Sequence, residues 1–141
     1  MADTALDRQL IVEALARYVW GYDEGDFELL ADSFTADATT QGSVAHTDIG
    51  WGPLQGRSQI VDVLASIRKG QTDQRRHSIH TVRFHRQSET EADFSTYMHL
   101  TGTENRVTVL ITAGWYRAQV VKEADGIWRM RNLDGKLDAP F

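Results

Sequence analysis

Asp23 is the residue of this chain whose position most suggests chemistry, and two further candidates for proton transfer are His77 and His80. Asp23 continues the apolar stripe of a predicted first helix and lies two residues before Gly25, where that helix should end. A carboxylate there meets the negative end of the helix dipole, which disfavours its charge. A histidine oriented by a carboxylate is a common general base near neutral pH. Asp23 is therefore either a polar residue of the turn after the helix or an acid that faces the apolar interior and takes part in chemistry.

Strand geometry leaves open which histidine would be the base. Both lie in the segment HSIHTVRF, which alternates like a β-strand, and the alternation places His80 beside Val82 on an apolar face. His77 reaches that side only if the strand begins later or bulges near Ser78 and Ile79. Because side chains three apart diverge on a strand, His77 and His80 do not predict a metal site, and no cofactor is expected.

Two tyrosines lie on the same side of the predicted first helix, close to Asp23. Tyr18 and Tyr22 are four residues apart, so their side chains are neighbours. A phenol hydroxyl could polarise a substrate carbonyl and face the oxyanion that develops there, although a core tyrosine with its hydroxyl at the rim fits equally well. Tyr97 is a candidate for the cavity lining, but it also fits an exposed or dimer-facing surface. Trp115 also fits the core or a dimer interface. Further candidates for substrate binding are Tyr22, Trp51, His80, Tyr97 and Trp115.

Composition excludes several classes of function. The chain has 141 residues, a net charge of −5 and a pI near 5.4, whereas nucleic-acid binding requires a basic face. It has no cysteine, which excludes disulfides, thiolate metal sites and cysteine nucleophiles. No uncharged apolar stretch is long enough to span a membrane, and the charged N-terminus is unlike a signal peptide. We expect a cytoplasmic protein with neither nucleic-acid nor membrane partners.

The order of predicted elements is typical of an α+β domain. Helical periodicity comes first, and from residue 77 onward the period changes to about two, with short polar links between strands. Helices followed by hairpin-linked strands favour α+β over a βαβ fold, in one domain over residues 1–141. A short strand should precede a glycine-rich loop, 45–56, that carries Trp51 as an aromatic lid. The predicted helices are 4–23, 27–34 and 58–69, and the later strands are 77–86, 91–102, 106–121 and 127–135.

These elements and four local motifs resemble the SnoaL-like branch of the NTF2-like superfamily. The motifs are RYVWGYDEGDFELLADSFTADA, GPLQG, RRHSIH and ADGIWRM, and the resemblance runs over nearly the whole chain. It implies a strongly curved antiparallel sheet packed on three N-terminal helices around a conical pocket, often in a homodimer. The branch includes scytalone dehydratase, bile acid 7α-dehydratase, hexachlorocyclohexane dehydrochlorinase, polyketide cyclases and steroid isomerases.

The resemblance implies specific roles for the candidate residues. In the dehydratases and the dehydrochlorinase, an aspartate at the end of the first long helix pairs with a histidine of the first strand in the hairpin run. Asp23 and His77 match those positions, and Tyr18 and Tyr22 match tyrosines of two of the dehydratases. The implied chemistry is cofactor-independent proton abstraction, leading to elimination, isomerisation or cyclisation of a hydrophobic steroid, terpenoid or polyketide ring.

Other readings stay open at this stage. Some members of the superfamily bind ligands without catalysis, and others are structural subunits, as in the small subunit of ring-hydroxylating dioxygenases. An epoxide hydrolase of the limonene type needs an Asp-Arg-Asp group. Arg83 and Asp93 are available for one, but the full set cannot be assembled from this sequence.

Overall fold

A computed structural model describes residues 4–141, and it confirms the predicted α+β class. Three helices and six strands follow one another in nearly the predicted order. None of the helices among these residues has the length and hydropathy needed to cross a membrane. The helices are α1 (Thr4–Glu24), α2 (Phe27–Asp32) and α3 (Arg57–Gly70), and the strands are β1 (Phe34–Val44), β2 (Gly50–Gln55), β3 (Gln74–Gln87), β4 (Glu91–Glu104), β5 (Val107–Lys122) and β6 (Trp128–Leu137).

The six strands form one curved, unclosed sheet in the order β2-β1-β6-β5-β4-β3. Every neighbouring pair is antiparallel except β1 and β6, which run parallel from Phe34↔Met130 to Val44↔Leu137. These two strands stand far apart in the sequence, so no hairpin fixes their relative direction. The long β3–β4–β5 meander supplies the wall on which the candidate histidines lie.

The core lies between α1 and the inner face of the sheet. Helix α1 buries Ile11, Leu15 and Val19 on the side that faces the strands, and Phe94 and Met130 meet them from the sheet. Leu15 is completely buried, so replacing it with alanine should cost about 2–5 kcal/mol of stability. This packing fixes α1 against the sheet and therefore fixes the position of its C-terminal end.

The glycine-rich segment that was predicted to be a loop contains strand β2. It pairs with β1, and Gly42 lies opposite Trp51. A Cβ atom built at Gly42 would lie 2.0 Å from the Trp51 ring, and one at Gly135 would lie 2.8 Å from it. Because these two glycines have no side chain, the Trp51 indole can pack directly against the backbone there. The prediction of a loop was wrong because strand pairing requires little of the side chains here, and glycines obscure the alternation.

Strand β3 contains a bulge, at a different place from the one considered above. The pairing register with β4 shifts between His80 and Arg83, and Thr81 has a φ of 58°. Before the bulge, His77 pairs with Leu100, whose side chain faces the helices. The expectation that simple alternation puts His80 on the inner face was therefore wrong, because the strand changes parity after that residue.

Candidate active site

Asp23 and His77 are in direct contact at the C-terminal end of α1. His77 Nδ1 lies 2.7 Å from Asp23 Oδ1, and the backbone N–H of His77 donates to Asp23 Oδ2 at 2.8 Å. The side chains are only 4% (Asp23) and 9% (His77) exposed. Both carboxylate oxygens are thus engaged by the same residue, with Nδ1–H as the ring donor. This arrangement leaves the Nε2 lone pair of His77 available for a proton.

Two neighbouring side chains compensate for placing a carboxylate at the end of a helix. The Arg68 guanidinium donates to the carbonyl oxygens of Tyr22 and Asp23 at 3.1–3.3 Å. The Gln74 amide also donates to the Asp23 carbonyl, at 2.8 Å. A cation therefore faces the negative end of the α1 dipole, where Asp23 alone would be unfavourable. Gly25, with a φ of 71°, ends the helix, and its N–H bonds to the Tyr22 carbonyl oxygen.

His77 opens onto a cavity of about 300 Å³ between α1, α3 and the sheet. Its walls are mostly apolar, and Trp51 closes one side in edge-to-face contact with Phe141, the ring centroids being 5.7 Å apart. This combination of an apolar cavity with a few convergent polar groups is typical of a small-molecule site. The apolar lining includes Leu64, Met98, Leu100 and Leu137, and the polar lining comprises Tyr18, Tyr22, Gln71, Arg75, His77 and Tyr116.

Three tyrosine hydroxyls belong to this polar lining. The Tyr18 ring lies 6.4 Å from the His77 ring and 6.1 Å from the Tyr116 ring, and the Tyr22 ring lies 5.7 Å from that of His77. Burial raises the pKa of the Tyr18 and Tyr116 phenols well above the usual value. Burial also raises the pKa of Tyr22, against an opposing hydrogen bond from Gln71. All three phenols are therefore neutral donors near neutral pH.

Three of the residues predicted to bind substrate are not part of this cavity. His80, Tyr97 and Trp115 are successive cross-strand neighbours on the outer face of the sheet. Tyr97 is 55% exposed, and the His80 ring lies 4.7 Å from that of His99 on the same face. Their placement at the pocket was wrong because the pleat of β4 and β5 turns Met98 and Tyr116 inward instead.

Three polar residues of the cavity, Gln71, Arg75 and Tyr116, were not predicted from the sequence. Arg75 lines the cavity beside His77, whereas Arg76 is exposed and bonds to Glu24. Arg75 and His77 are two residues apart on one strand, so alternation could have placed both on the inner face once His77 was chosen. Gln71 follows the last turn of α3 and gave no comparable signal in the sequence.

The described residues contain no group of three or more potential ligands that could hold a metal ion. His77 and His80 lie on opposite faces of β3. Asp93, a candidate for an epoxide hydrolase group, instead forms two hydrogen bonds with Arg117, at 3.0 and 2.9 Å, outside the cavity.

The chain belongs to the SnoaL-like domain family, whose sequence profile matches residues 3–134. Comparison with curated proteins gives no match. Solved structures share the fold. A cystatin-like protein of unknown function from Nostoc punctiforme is 21% identical with a TM-score of 0.84, over 100% of this chain and 98% of that one. An NTF2-like protein with a cystatin-like fold from Novosphingobium aromaticivorans is 20% identical with a TM-score of 0.73, over 94% and 82% of the two chains.

A third similar structure is a protein assigned as the beta subunit of an aromatic-ring-hydroxylating dioxygenase from Novosphingobium aromaticivorans. It is 16% identical with a TM-score of 0.80, and the match covers 99% of this chain and 94% of that one. Together these likenesses support the SnoaL-like and NTF2-like assignment of the fold. Function has to be argued from the residues of the cavity, because this fold carries several activities.

Proposed function

We propose that the protein is a cofactor-independent enzyme that removes a proton from a small hydrophobic cyclic molecule, with His77 as the base and Asp23 as its orienting carboxylate. The observation that carries the proposal is the 2.7 Å contact between His77 Nδ1 and Asp23 Oδ1 at the wall of an apolar cavity. A structural histidine would satisfy the carboxylate equally well, but it would not need its second nitrogen to face an open cavity.

The reaction begins with a carbon acid whose proton lies next to a carbonyl group. His77 Nε2 takes the proton, the electron pair of the broken C–H bond moves toward the carbonyl oxygen, and an enolate forms. The negative charge of Asp23 stabilises the imidazolium produced in this step. Return of the proton to another carbon completes an isomerisation, whereas loss of a β-substituent together with that proton completes an elimination.

The buried phenols supply the other half of the chemistry. Tyr18 and Tyr22 are the tyrosines nearest His77, and their raised pKa values keep them protonated as donors. A neutral donor held in an apolar cavity stabilises a developing enolate oxygen more effectively than it would in water. Tyr116 packs edge-to-face against Tyr18, with the ring centroids 6.1 Å apart, and so helps to orient it.

The proposal can be tested without the natural substrate. 5-Nitrobenzisoxazole is a flat bicyclic molecule that opens when a base removes its ring proton, because the N–O bond then breaks and a coloured nitrophenolate forms. We expect the wild-type protein to accelerate this reaction and His77→Ala to lose about 10²–10⁴-fold of the acceleration. His80→Ala is the matched control and should retain it. A wild-type rate equal to that of His77→Ala would contradict the proposal and favour a binding protein or a structural subunit.

A further inference from the structure

Gln71 presents an unsatisfied acceptor at the cavity. It follows the end of α3, where its backbone N–H bonds to the Arg68 carbonyl oxygen. Its side-chain Oε1 is buried and has no hydrogen-bond partner among residues 4–141. A buried carbonyl oxygen without a donor is costly, so a donor from a bound molecule would relieve an existing penalty.

Arg75 presents unused donors to the same cavity, four residues farther along. Its side chain is 17% exposed, and its Nε donates to Asp73 Oδ2 at 2.7 Å. The two terminal nitrogens make no hydrogen bond to any residue in the described part of the chain. Arg75, Tyr22 and Gln71 line the same cavity.

The position of Arg75 depends on a glycine in the neighbouring strand. A Cβ atom at Gly102 would lie 2.4 Å from Asp73 Oδ2, so the carboxylate that holds Arg75 occupies space that a larger residue would fill. Asp73 therefore fixes the Arg75 guanidinium through Nε. The two terminal nitrogens remain available to another acceptor.

We propose that Gln71 and Arg75 form a subsite for the oxygenated end of the substrate. A hydroxyl group donates to Gln71 Oε1, and a nearby acceptor oxygen, such as a carbonyl, receives from Arg75. The substrate class is thus a small ring compound that carries both groups. A cavity of about 300 Å³ corresponds to roughly ten water molecules, which is room for one or two rings. The inference rests on the proposed function only in taking this cavity as the substrate site.

The test compares matched bicyclic probes by chemical-shift titration of the whole protein. Indane carries no oxygen, 1-indanone adds an acceptor, and the 3-, 4- and 5-hydroxy derivatives of 1-indanone add a donor at different positions. We expect at least one hydroxy isomer to bind wild-type protein about tenfold more tightly than 1-indanone. Gln71→Leu should abolish this advantage while leaving the affinity for indane unchanged, and Gln71→Met provides a second variant should the first fail to fold.

The acceptor half has its own control in the adjacent arginine. Arg75→Gln should remove the preference for 1-indanone over indane, and Arg76→Gln, at an exposed position, should preserve it. The proposal is overturned if no hydroxy isomer gains affinity, if Gln71→Leu keeps the gain, or if Arg75→Gln and Arg76→Gln behave alike. Failure of the proposed catalysis gives a different pattern, in which these probe preferences persist while 5-nitrobenzisoxazole reacts equally fast with wild-type protein and His77→Ala.

Discussion

Asp23 binds His77 through both the ring and the backbone of that residue, at 2.7 Å from Nδ1 and 2.8 Å from the backbone nitrogen. The backbone contact orients the carboxylate, and the carboxylate in turn orients the imidazole. Because α1 carries Asp23 and β3 carries His77, the pair forms only when the helix has packed on the sheet. The proposed base is therefore a product of the tertiary fold and not of a local motif.

Asp23→Asn should change the tautomer of His77. An asparagine can still accept the backbone N–H of His77, but its NH₂ group would then face Nδ1 and require that atom to accept. The proton would move to Nε2, and the base would be lost. We expect the nitrogen-15 chemical shifts of Nδ1 and Nε2 in the His77 ring to be interchanged relative to wild type. Unchanged ring shifts in the variant would show that Asp23 does not set the tautomer.

The same substitution should lower stability only moderately. Relief of the unfavourable charge at the helix end is worth about 0.3–1 kcal/mol, and loss of a charge-assisted hydrogen bond costs about 1.5–3 kcal/mol. Urea denaturation should therefore show a net loss of about 1–2 kcal/mol for Asp23→Asn. A variant more stable than wild type would mean that the contact with His77 contributes less than the helix-end charge costs.

Stability should fall as the pH rises beyond about 10. The buried phenols of Tyr18, Tyr22 and Tyr116 have pKa values raised above 10.0, so the folded protein keeps protons that the unfolded chain releases. Unfolding then releases protons, and the free energy of unfolding decreases by up to about 1.4 kcal/mol per pH unit for each such group. Urea denaturation between about pH 8 and pH 11 should show this slope. Tyr116→Phe should make the slope shallower, whereas the same change at the exposed Tyr97 should not.

Gly42→Ala should displace the Trp51 indole from its packing position on the backbone of β1. The added methyl would lie 2.0 Å from the indole ring, so the ring or β2 must move, and one wall of the cavity would move with it. We expect weaker binding of 1-indanone and a lower melting temperature. Gly70→Ala is the control, because a Cβ there meets nothing within 4 Å and the residue ends a helix. Equal behaviour of the two variants would show that Trp51 does not depend on the glycine.

The homodimer and the cytoplasmic location stay predictions. For the homodimer, sedimentation velocity on the purified protein should give a mass near twice 15.9 kDa. A monomer at micromolar concentration, or a protein that is stable only with another subunit, would contradict the expectation of a stand-alone dimer.

The sequence pattern predicted the fold class, and the resemblance to the SnoaL-like branch led us to expect the contact between Asp23 and His77. The 3.6-residue period of α1 placed Asp23 on the buried stripe, and the resemblance selected His77 from two candidates. Single-strand alternation alone favoured His80, since it could not locate the bulge at Thr81. That bulge depends on pairing with β4, which a strand does not encode by itself.

The rest of the cavity depends on contacts that are distant in sequence. Arg75 is turned inward by strand pairing and held by Asp73, in space left by Gly102 on the neighbouring strand. Alternation relates Arg75 to His77 within β3, but the contact with Asp73 and the space at Gly102 do not follow from that strand alone. Similarly, the outward placement of Tyr97 and Trp115 follows from the registers of β4 and β5, which hairpin lengths alone did not fix.

A double-mutant cycle on Asp23 and His77 tests the central claim most directly. Turnover of 5-nitrobenzisoxazole would be measured for wild-type protein, Asp23→Asn, His77→Ala and the double variant. If the two residues act as one unit, each single variant loses about 10²–10⁴-fold and the double variant is within about threefold of the worse single one. Losses that multiply in the double variant, or an Asp23→Asn rate equal to wild type, would contradict the claim that Asp23 acts through His77.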